Sequence, residues 1–495
     1  MRQFQNSYDQ VAYPAFPYPN THPDRLAVMA ALHGITPAGV EQCRVLEIAC
    51  NEGANLIPMA YAIPKGEFVG FDLAQGPVER GQKRIRDLGL KNVRIFESDL
   101  LSVGVELGRF DYIIAQGLYS WVPKEVRDRL MALCGELLEP NGIAFVSYNA
   151  LPGGHLRRML RDMMLFRMEG VEDREQGMAE AIKFLCFLLE TRPQDDVYRA
   201  VIEKELKRME GRRAGVTFHD ELSAAYDPVH FVEFVEHARR HGLQFLSEAV
   251  LPPPTDPCYR FETQTVLKSA AGEDFLRQEQ LLDFLRVRMY RETLICRADL
   301  ELRRDFPVEL LRKLMVASQA NLTQDEETKK LVFKLPSGIK METNHPAVNA
   351  LLAELEKAWP HPLALEDLAP RLSSSGFALN DDCSALLMKL AIAKFIEFRT
   401  WKAPMAAEIG DRPRASAVSL QEGRSQMQAT TLLHSTISLE DPKVKAFLSL
   451  LDGTRDRGAL FDAMRAAFPA TPESELKAGI EPGLRMFYLS GVLEA

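Results

Sequence analysis

The chain has 495 residues, enough for two to four domains, and its 46% hydrophobic and 26% charged content is that of an ordinary globular protein. A formal charge of −9 argues against generic nucleic-acid binding, which phosphate neutralisation dominates. The seven cysteines are scattered with no C-x-x-C pair and read as reduced thiols rather than a disulfide framework or zinc site. No apolar run reaches membrane-spanning length and Met1–Asn6 carries no leader-like stretch, so a cytoplasmic protein is expected.

The first predicted strand is Arg44-Val45-Leu46-Glu47-Ile48, running into Ala49-Cys50-Asn51-Glu52-Gly53. An apolar run, an acid and small residues opening a helix suit a ligand-binding loop. A second run, Phe68 to Leu73, ends on Asp72, and a third, Val93 to Leu100, ends on Asp99. Such spacing predicts a doubly wound α/β sheet, Rossmann-like, with its ligand at the carboxyl ends of the strands. A dinucleotide wants G-x-G-x-x-G so that backbone can approach a pyrophosphate. Here Ala49 and Asn51 occupy two glycine positions and Gly53 the third. A cofactor without phosphate, S-adenosylmethionine, tolerates that better.

Asp72 is expected to accept hydrogen bonds from the ribose hydroxyls. Asp99 would take the adenine amino group, with Leu100 against the ring. Glu47 would orient the loop and, directly or through water, the cofactor's ammonium. Ala49, Asn51, Gly53, Asn55, Leu73 and Gln116 complete the expected cofactor contacts. The bland alternative is that these acids only cap turns after strands. Cys50 reads as a small residue filling the turn.

Phe110 to Ala115 is a fourth strand, followed by a helix from about Pro123 to Leu138 with apolar Val126, Leu130, Leu133 and Leu137 at helical period. Pro140-Asn141-Gly142 marks a turn, and Ile143 to Asn149 the fifth strand. The remaining helix and antiparallel pair of a methyltransferase-type sheet are expected later, as a helix over Pro228 to His241 and strands over Leu243–Val250 and Arg260–Lys268. Residues 1–270 thus read as the cofactor-binding core, with 155–226 a helical insertion over the substrate side. Residues 271–328 read as a helical connector. Two separate abutting domains are the alternative.

In the last third, His345 to Leu355 recurs as Asp441 to Leu451. Each copy follows a strand-like run (Leu331–Met341, Thr431–Leu439) and closes on a similar helix and strand (Ala385–Phe398, Ile480–Leu493). Two winged-helix-like α+β modules are expected at 329–402 and 427–495, with 403–426 as linker. Neither has a dense basic helix, so protein contact is the expected use rather than DNA. His230, His237 and His241, and the Arg157, Arg158, Arg161, Arg167 group, read as solvated or packed helix faces, and no metal is expected.

With these residues the chain resembles class I S-adenosylmethionine-dependent methyltransferases, more narrowly bacterial ones carrying a methyltransferase regulatory domain. Known members of that family include lysine methyltransferases of outer-membrane proteins. The likeness rests on Asn6-Ser7-Tyr8-Asp9, Thr21 to Leu26, the Glu47–Asn55 loop with Leu56 to Ala60, Gln116 to Pro123, Ser147-Tyr148-Asn149 with Pro152-Gly153-Gly154, and Arg161 to Met164. Phe231 to Gly242, Asp283 to Arg286 and Arg291 to Leu294 carry the regulatory-domain likeness. The departure is the Gly-x-Gly pair, here Ala49-Cys50-Asn51. The resemblance implies methyl transfer from S-adenosylmethionine, with a protein lysine as acceptor. A small-molecule methyltransferase and a non-catalytic cofactor-sensing protein are the competing readings. Tyr119, Trp121 and Tyr148, just beyond the fourth and fifth strands, are the expected catalytic residues. Their rings would wall in a cationic amine.

Overall fold

The computed structural model describes residues 16–171, 173–210, 225–253, 255–325 and 330–495; the Asn6–Asp9 block lies outside them. Helix α1 (Pro23–Leu32) precedes β1 (Arg44–Ile48), α2 (Leu56–Ala62), β2 (Glu67–Asp72), α3 (Gln75–Asp87), β3 (Val93–Glu97), β4 (Phe110–Ala115), α4 (Lys124–Leu137) and β5 (Leu138–Asn149). The five strands are parallel, in the order β3-β2-β1-β4-β5. Val45, Leu46 and Ile48, and Ile113, Ile114 and Ala115, are buried on both faces, as parallel strands between helix layers must be. The order reverses at β1, which places the cofactor crevice between the ends of β1, β2 and β4.

After β5 the chain leaves the sheet as α5 (Gly153–Met168), α6 (Arg174–Thr191) and α7 (Val197–Met209). These helices have their own core of Leu160, Met164, Met178, Leu185, Ile202 and Met209. Both ends of the excursion are stitched to the sheet rim: Leu151 N donates to Val229 O at 3.0 Å and Asp227 N to Ser120 O at 2.9 Å. Over the described residues between 153 and 209 this excursion is built of these three helices.

The return is α8 (Phe231–Arg240), β6 (Leu243–Glu248), α9 (Phe261–Ala271), α10 (Phe275–Arg286) and β7 (Tyr290–Arg297). Two expectations need correction here. The run Arg260–Lys268 is not the last strand; it lies at the start of α9, where only Leu267 is buried. The strand that completes the sheet is β7, paired antiparallel with β5 and with β6. A strand held between two neighbours and covered on both faces needs apolar residues at consecutive positions. Leu294-Ile295-Cys296 supplies them, all fully buried, whereas residues 261–268 interleave Glu262, Gln264 and Lys268. The core thus extends past 270 to Arg297, and 271–328 is no mere helical connector.

The first C-terminal module begins before 329. It runs α11 (Val308–Leu311), β8 (Met315–Ala317), β9 (Asn321–Gln324), β10 (Leu331–Lys334), β11 (Lys340–Met341), α12 (Pro346–Ala358), β12 (Leu363–Ala364), α13 (Leu365–Leu372), α14 (Asp381–Ile392) and β13 (Glu397–Arg399). Its small sheet is ordered β12-β8-β13. The second module has α15 (Ala417–Ser425), the hairpin β14 (Gln428–Thr430) and β15 (Thr436–Ser438), then α16 (Pro442–Leu450), α17 (Arg457–Ala467) and α18 (Glu473–Leu489). Arg414 bridges Asp452 and Ala415 bridges Leu493, both antiparallel, which repeats the β12-β8-β13 arrangement. Residues 403–426 are accordingly not a linker: they hold the central strand position of the second module and α15. Pro346 and Pro442 each stand at the first turn of a helix, where the missing N–H costs nothing.

Candidate cofactor and acceptor site

The loop after β1 keeps a glycine-type backbone without the glycines. Ala49, Asn51 and Gly53 have φ of 59°, 50° and 70°, a left-handed conformation that costs a non-glycine residue roughly 1–2 kcal/mol. Hydrogen bonds hold it there. Cys50 N donates to Phe71 O at 3.1 Å and Gly53 N to Cys50 O at 2.8 Å. Asp72 Oδ2 accepts from Asn51 N at 2.8 Å, and its Oδ1 from Ala74 N at 2.9 Å. Cys50 fills the space over Gly70, where a Cβ would lie 2.8 Å from its sulfur. Asp72 therefore fixes the loop through both carboxylate oxygens. Burial raises its pKa, and the N–H bonds from Ala74 and Asn51 oppose that.

Glu47, at the end of β1, is buried, and burial lifts its carboxyl pKa to about 8. Its Oε1 accepts from Asn55 Nδ2 at 2.7 Å, while its Oε2 is buried with no partner among the described residues. An orphaned carboxylate oxygen of this kind fits the ammonium of a methionine moiety. Asn55 has a different task from the expected cofactor contact. Its Nδ2 also donates to Thr21 Oγ1 at 3.0 Å, and its Oδ1 accepts from Tyr18 N and from His434 Nε2, both at 2.8 Å. Four segments thus meet at Asn55, including the hairpin loop of the second C-terminal module. His434 stacks toward His22, which lies on Trp401. Burial holds His434 well below the ordinary histidine range and therefore neutral.

Across the sheet, Asp99 Oδ1 caps a short turn by accepting from Leu101 N at 3.0 Å. Leu100 is buried beside it and Leu73 is half-buried, so Asp72, Leu73, Asp99 and Leu100 line adjacent strand ends. Gln116 follows β4; its Oε1 is buried without a partner among the described residues, and its Nε2 donates to the Tyr290 hydroxyl at 3.0 Å.

The aromatic wall is only partly where it was expected. Tyr119 and Tyr148 are 3% and 1% exposed, closed into the core against Phe234 of α8. The Tyr119 hydroxyl bonds His237 Nδ1 at 2.9 Å, and Thr293 Oγ1 donates to the Tyr148 hydroxyl at 3.3 Å. Burial pushes Tyr119 up to about 12. Sequence spacing placed these tyrosines at the right strand ends but not on the correct face. Trp121 remains half-buried, with Tyr226 beside it and the Arg157 and Arg161 guanidinium groups over its ring. His237 and His241 both aim Nε2 at Asp128 Oδ1, at 3.2 and 2.9 Å. His230 instead caps α8, its N–H donating to Glu233 Oε2 at 2.8 Å.

Sequence reasoning gave no role to His434, Tyr290 or Glu292, whose side chains the structure brings to Asn55, Gln116 and Asn20. For Tyr290 and Glu292 a signal existed. Tyr-Arg-Glu-Thr-Leu-Ile-Cys-Arg has the aromatic and β-branched content of a strand. His434 had none, because its role depends on a contact 379 positions away in sequence.

A methyltransferase-domain model matches residues 45–142, a model described as a predicted methyltransferase regulatory domain matches 214–297, and a model described as the PKMT C-terminal winged helix domain matches 411–472. An uncharacterised Rickettsia prowazekii protein is 29% identical over 476 residues, covering 93% of this chain and 85% of that one. A second from the same organism is 34% identical over 241 residues, 48% of this chain and 96% of its own length. In fold, the chain is similar to the structure of PKMT2 from Rickettsia typhi in complex with AdoHcy. The TM-score is 0.86 at 24% identity, over 97% of this chain and 99% of that one.

Proposed function

Because this chain belongs to the class I methyltransferases that carry a methyltransferase regulatory domain, we propose that it moves the methyl group of S-adenosylmethionine to lysine side chains of a protein substrate. The observation that carries this reading is the row of groups along the strand ends. Asp99, Asp72 and Glu47 stand at the ends of β3, β2 and β1, where they would take the adenine, the ribose and the amino-acid end in turn. The orphaned Glu47 Oε2 and Gln116 Oε1 supply acceptors for a polar ligand between β1 and β4. S-adenosylmethionine supplies a methyl group on a sulfonium, and the protein's work is to align an amine with it. Alignment alone accounts for several kcal/mol of such a barrier.

A lysine acceptor is supported by the likeness to the PKMT winged-helix model and the PKMT2 fold. The two C-terminal modules also offer surface for a macromolecule, and no described helix is long and apolar enough to cross a membrane. We assign the protein to the cytoplasm on the same reading, with its cysteines as free thiols. A lysine must lose a proton first, at a cost of about 4.6 kcal/mol at pH 7. Burial beside a cationic sulfonium reduces that cost. The test is incubation of the full chain with methyl-labelled S-adenosylmethionine and cell extract, then mass spectrometry of labelled proteins. Methyl-lysine is the expected product. Label confined to small molecules, to carboxylates or to nothing hands the case to a metabolite methyltransferase or a cofactor sensor.

A further inference from the structure

The segment matched as a regulatory domain contributes the central strand of the antiparallel half of the sheet, and two of its side chains turn toward the reaction end. Tyr290 opens β7. Its ring is 40% exposed, yet its hydroxyl sits deep enough that burial raises its pKa. The side chain reaches back over β5 to Gln116 Nε2 at the end of β4, at 3.0 Å. Neighbouring strands lie about 4.8 Å apart, so this reach carries the phenol oxygen from β7 to the strand that flanks β1.

Glu292 lies two residues along β7, on the same face as Tyr290 and opposite Ser147. Its Oε2 accepts from Asn20 Nδ2 at 2.9 Å. Asn20 belongs to the segment Tyr18–Thr21, whose Tyr18 N and Thr21 Oγ1 bond Asn55 of the cofactor loop. One or two residues of chain, at most about 3.6 Å each, therefore separate the cofactor loop's bonding partners from that of Glu292. Among the described residues, Asn20 alone donates a side-chain hydrogen bond to this carboxylate. The charged groups acting on it are Arg25 of α1 and Glu248 of β6. Burial and Glu248 raise its pKa, and Arg25 opposes them. Such a carboxylate takes up a proton more readily than a surface glutamate.

We propose that Glu292 and Tyr290 form the acceptor-amine subsite: Glu292 binds the incoming lysine ammonium and takes its proton, while Tyr290, held by Gln116, aims the freed nitrogen. This rests on the lysine reading above. The balance is simple. One Nζ–H bond breaks and its proton passes to a Glu292 carboxylate oxygen. The Nζ lone pair then forms a bond to the sulfonium methyl carbon as the C–S bond breaks. That electron pair stays on sulfur, leaving a neutral thioether and a methylated ammonium. The strand of the regulatory segment is thus part of the catalytic wall.

The test uses the full chain and a protein acceptor that the unaltered enzyme methylates on lysine. Glu292→Gln keeps the shape and an oxygen for Asn20, so AdoHcy affinity by calorimetry should stay within about twofold. Its kcat at pH 7 should fall at least 10²-fold, the lower range for general-base loss. The deficit should shrink as pH rises toward the lysine's own pKa. Tyr290→Phe should lower kcat/KM about tenfold with the pH profile unmoved. Equal kcat for Glu292→Gln across pH, or loss of AdoHcy binding in that variant, overturns the subsite while leaving lysine methylation standing. An unaltered enzyme that labels no lysine overturns the acceptor reading itself, and the subsite with it.

Discussion

Replacing Glu47 by glutamine removes a carboxyl whose burial works against the fold. The side chain has 4% exposure and a pKa near 8 in the folded protein, against 4.5 for a free glutamate. Between those values the folded state holds more protons than the unfolded one, so stability falls as pH rises. At about 1.36 kcal/mol per unit, the loss between pH 5 and pH 8 comes to roughly 3 kcal/mol. Glutamine keeps the bond from Asn55 and does not titrate. The variant should match the unaltered protein near pH 5 and exceed it by roughly 3 kcal/mol at pH 8. For a domain of this size that is roughly 6–12 °C in the transition of the methyltransferase part. Thermal unfolding of both proteins across this range is the assay, without cofactor. Parallel curves would falsify the claim that Glu47 folds in protonated. The same carboxyl should release a proton when a cofactor ammonium binds near neutral pH. Calorimetry in two buffers of different ionisation enthalpy reads that directly.

Asp72→Ala should weaken AdoHcy binding by about 1.5–3 kcal/mol, since it removes both the ribose partner and the tether on Asn51; unchanged calorimetric affinity in a folded variant refutes the assignment. Gly70→Ala drives a methyl to within 2.8 Å of Cys50 Sγ and 2.9 Å of Leu56 and should cost about 1–3 kcal/mol in denaturant unfolding. Adding Cys50→Ala should recover part of that loss, and no recovery would show the clash is elsewhere. Arg291 is fully buried, bidentate to Asp283 at 2.8 Å and bonded to Glu248 at 2.7 Å. Arg291→Ala leaves those carboxylates with Arg288 as their remaining cation, at 2.9 Å from Asp283 and 3.6 Å from Glu248, and should destabilise by about 3 kcal/mol, whereas a loss below 1 kcal/mol contradicts that account. His434→Ala takes a donor from Asn55 and should lower AdoHcy affinity several-fold; unaltered affinity would mean the C-terminal module does not reach the cofactor loop energetically.

Local signals carried the parallel half of this molecule in the sequence. Apolar runs of β1 to β5, each ending in a polar residue, show through because parallel strands are buried on both faces and separated by their own helices. Asp72 and Asp99 were legible as strand-end acids for the same reason: each closes an apolar run at a fixed place in a repeating pattern. The C-terminal repeat was legible in its helices, where Pro346 and Pro442 announce two starts, but not in its strands. The central strand of the second copy is only Arg414 and Ala415, pairing with Asp452 and Leu493, too short to leave any periodicity.

What tertiary structure alone decided is which distant segments share an environment. Residues 261–268 alternate as well as any strand, yet they lie in α9, and β7 takes the slot because only it buries both faces. Tyr119 and Tyr148 sit at the expected strand ends, but packing against α8 turns their rings into the core. Asn55 became a junction rather than a cofactor ligand once Tyr18, Thr21 and His434 arrived beside it. Burial then gave Glu47 its raised pKa, and the fold over β5 brought Tyr290 to Gln116. Local spacing sets where a side chain is rooted along the chain. Its exposure, charge state and partners depend on the atoms that folding brings against it, and those come from positions no local pattern connects.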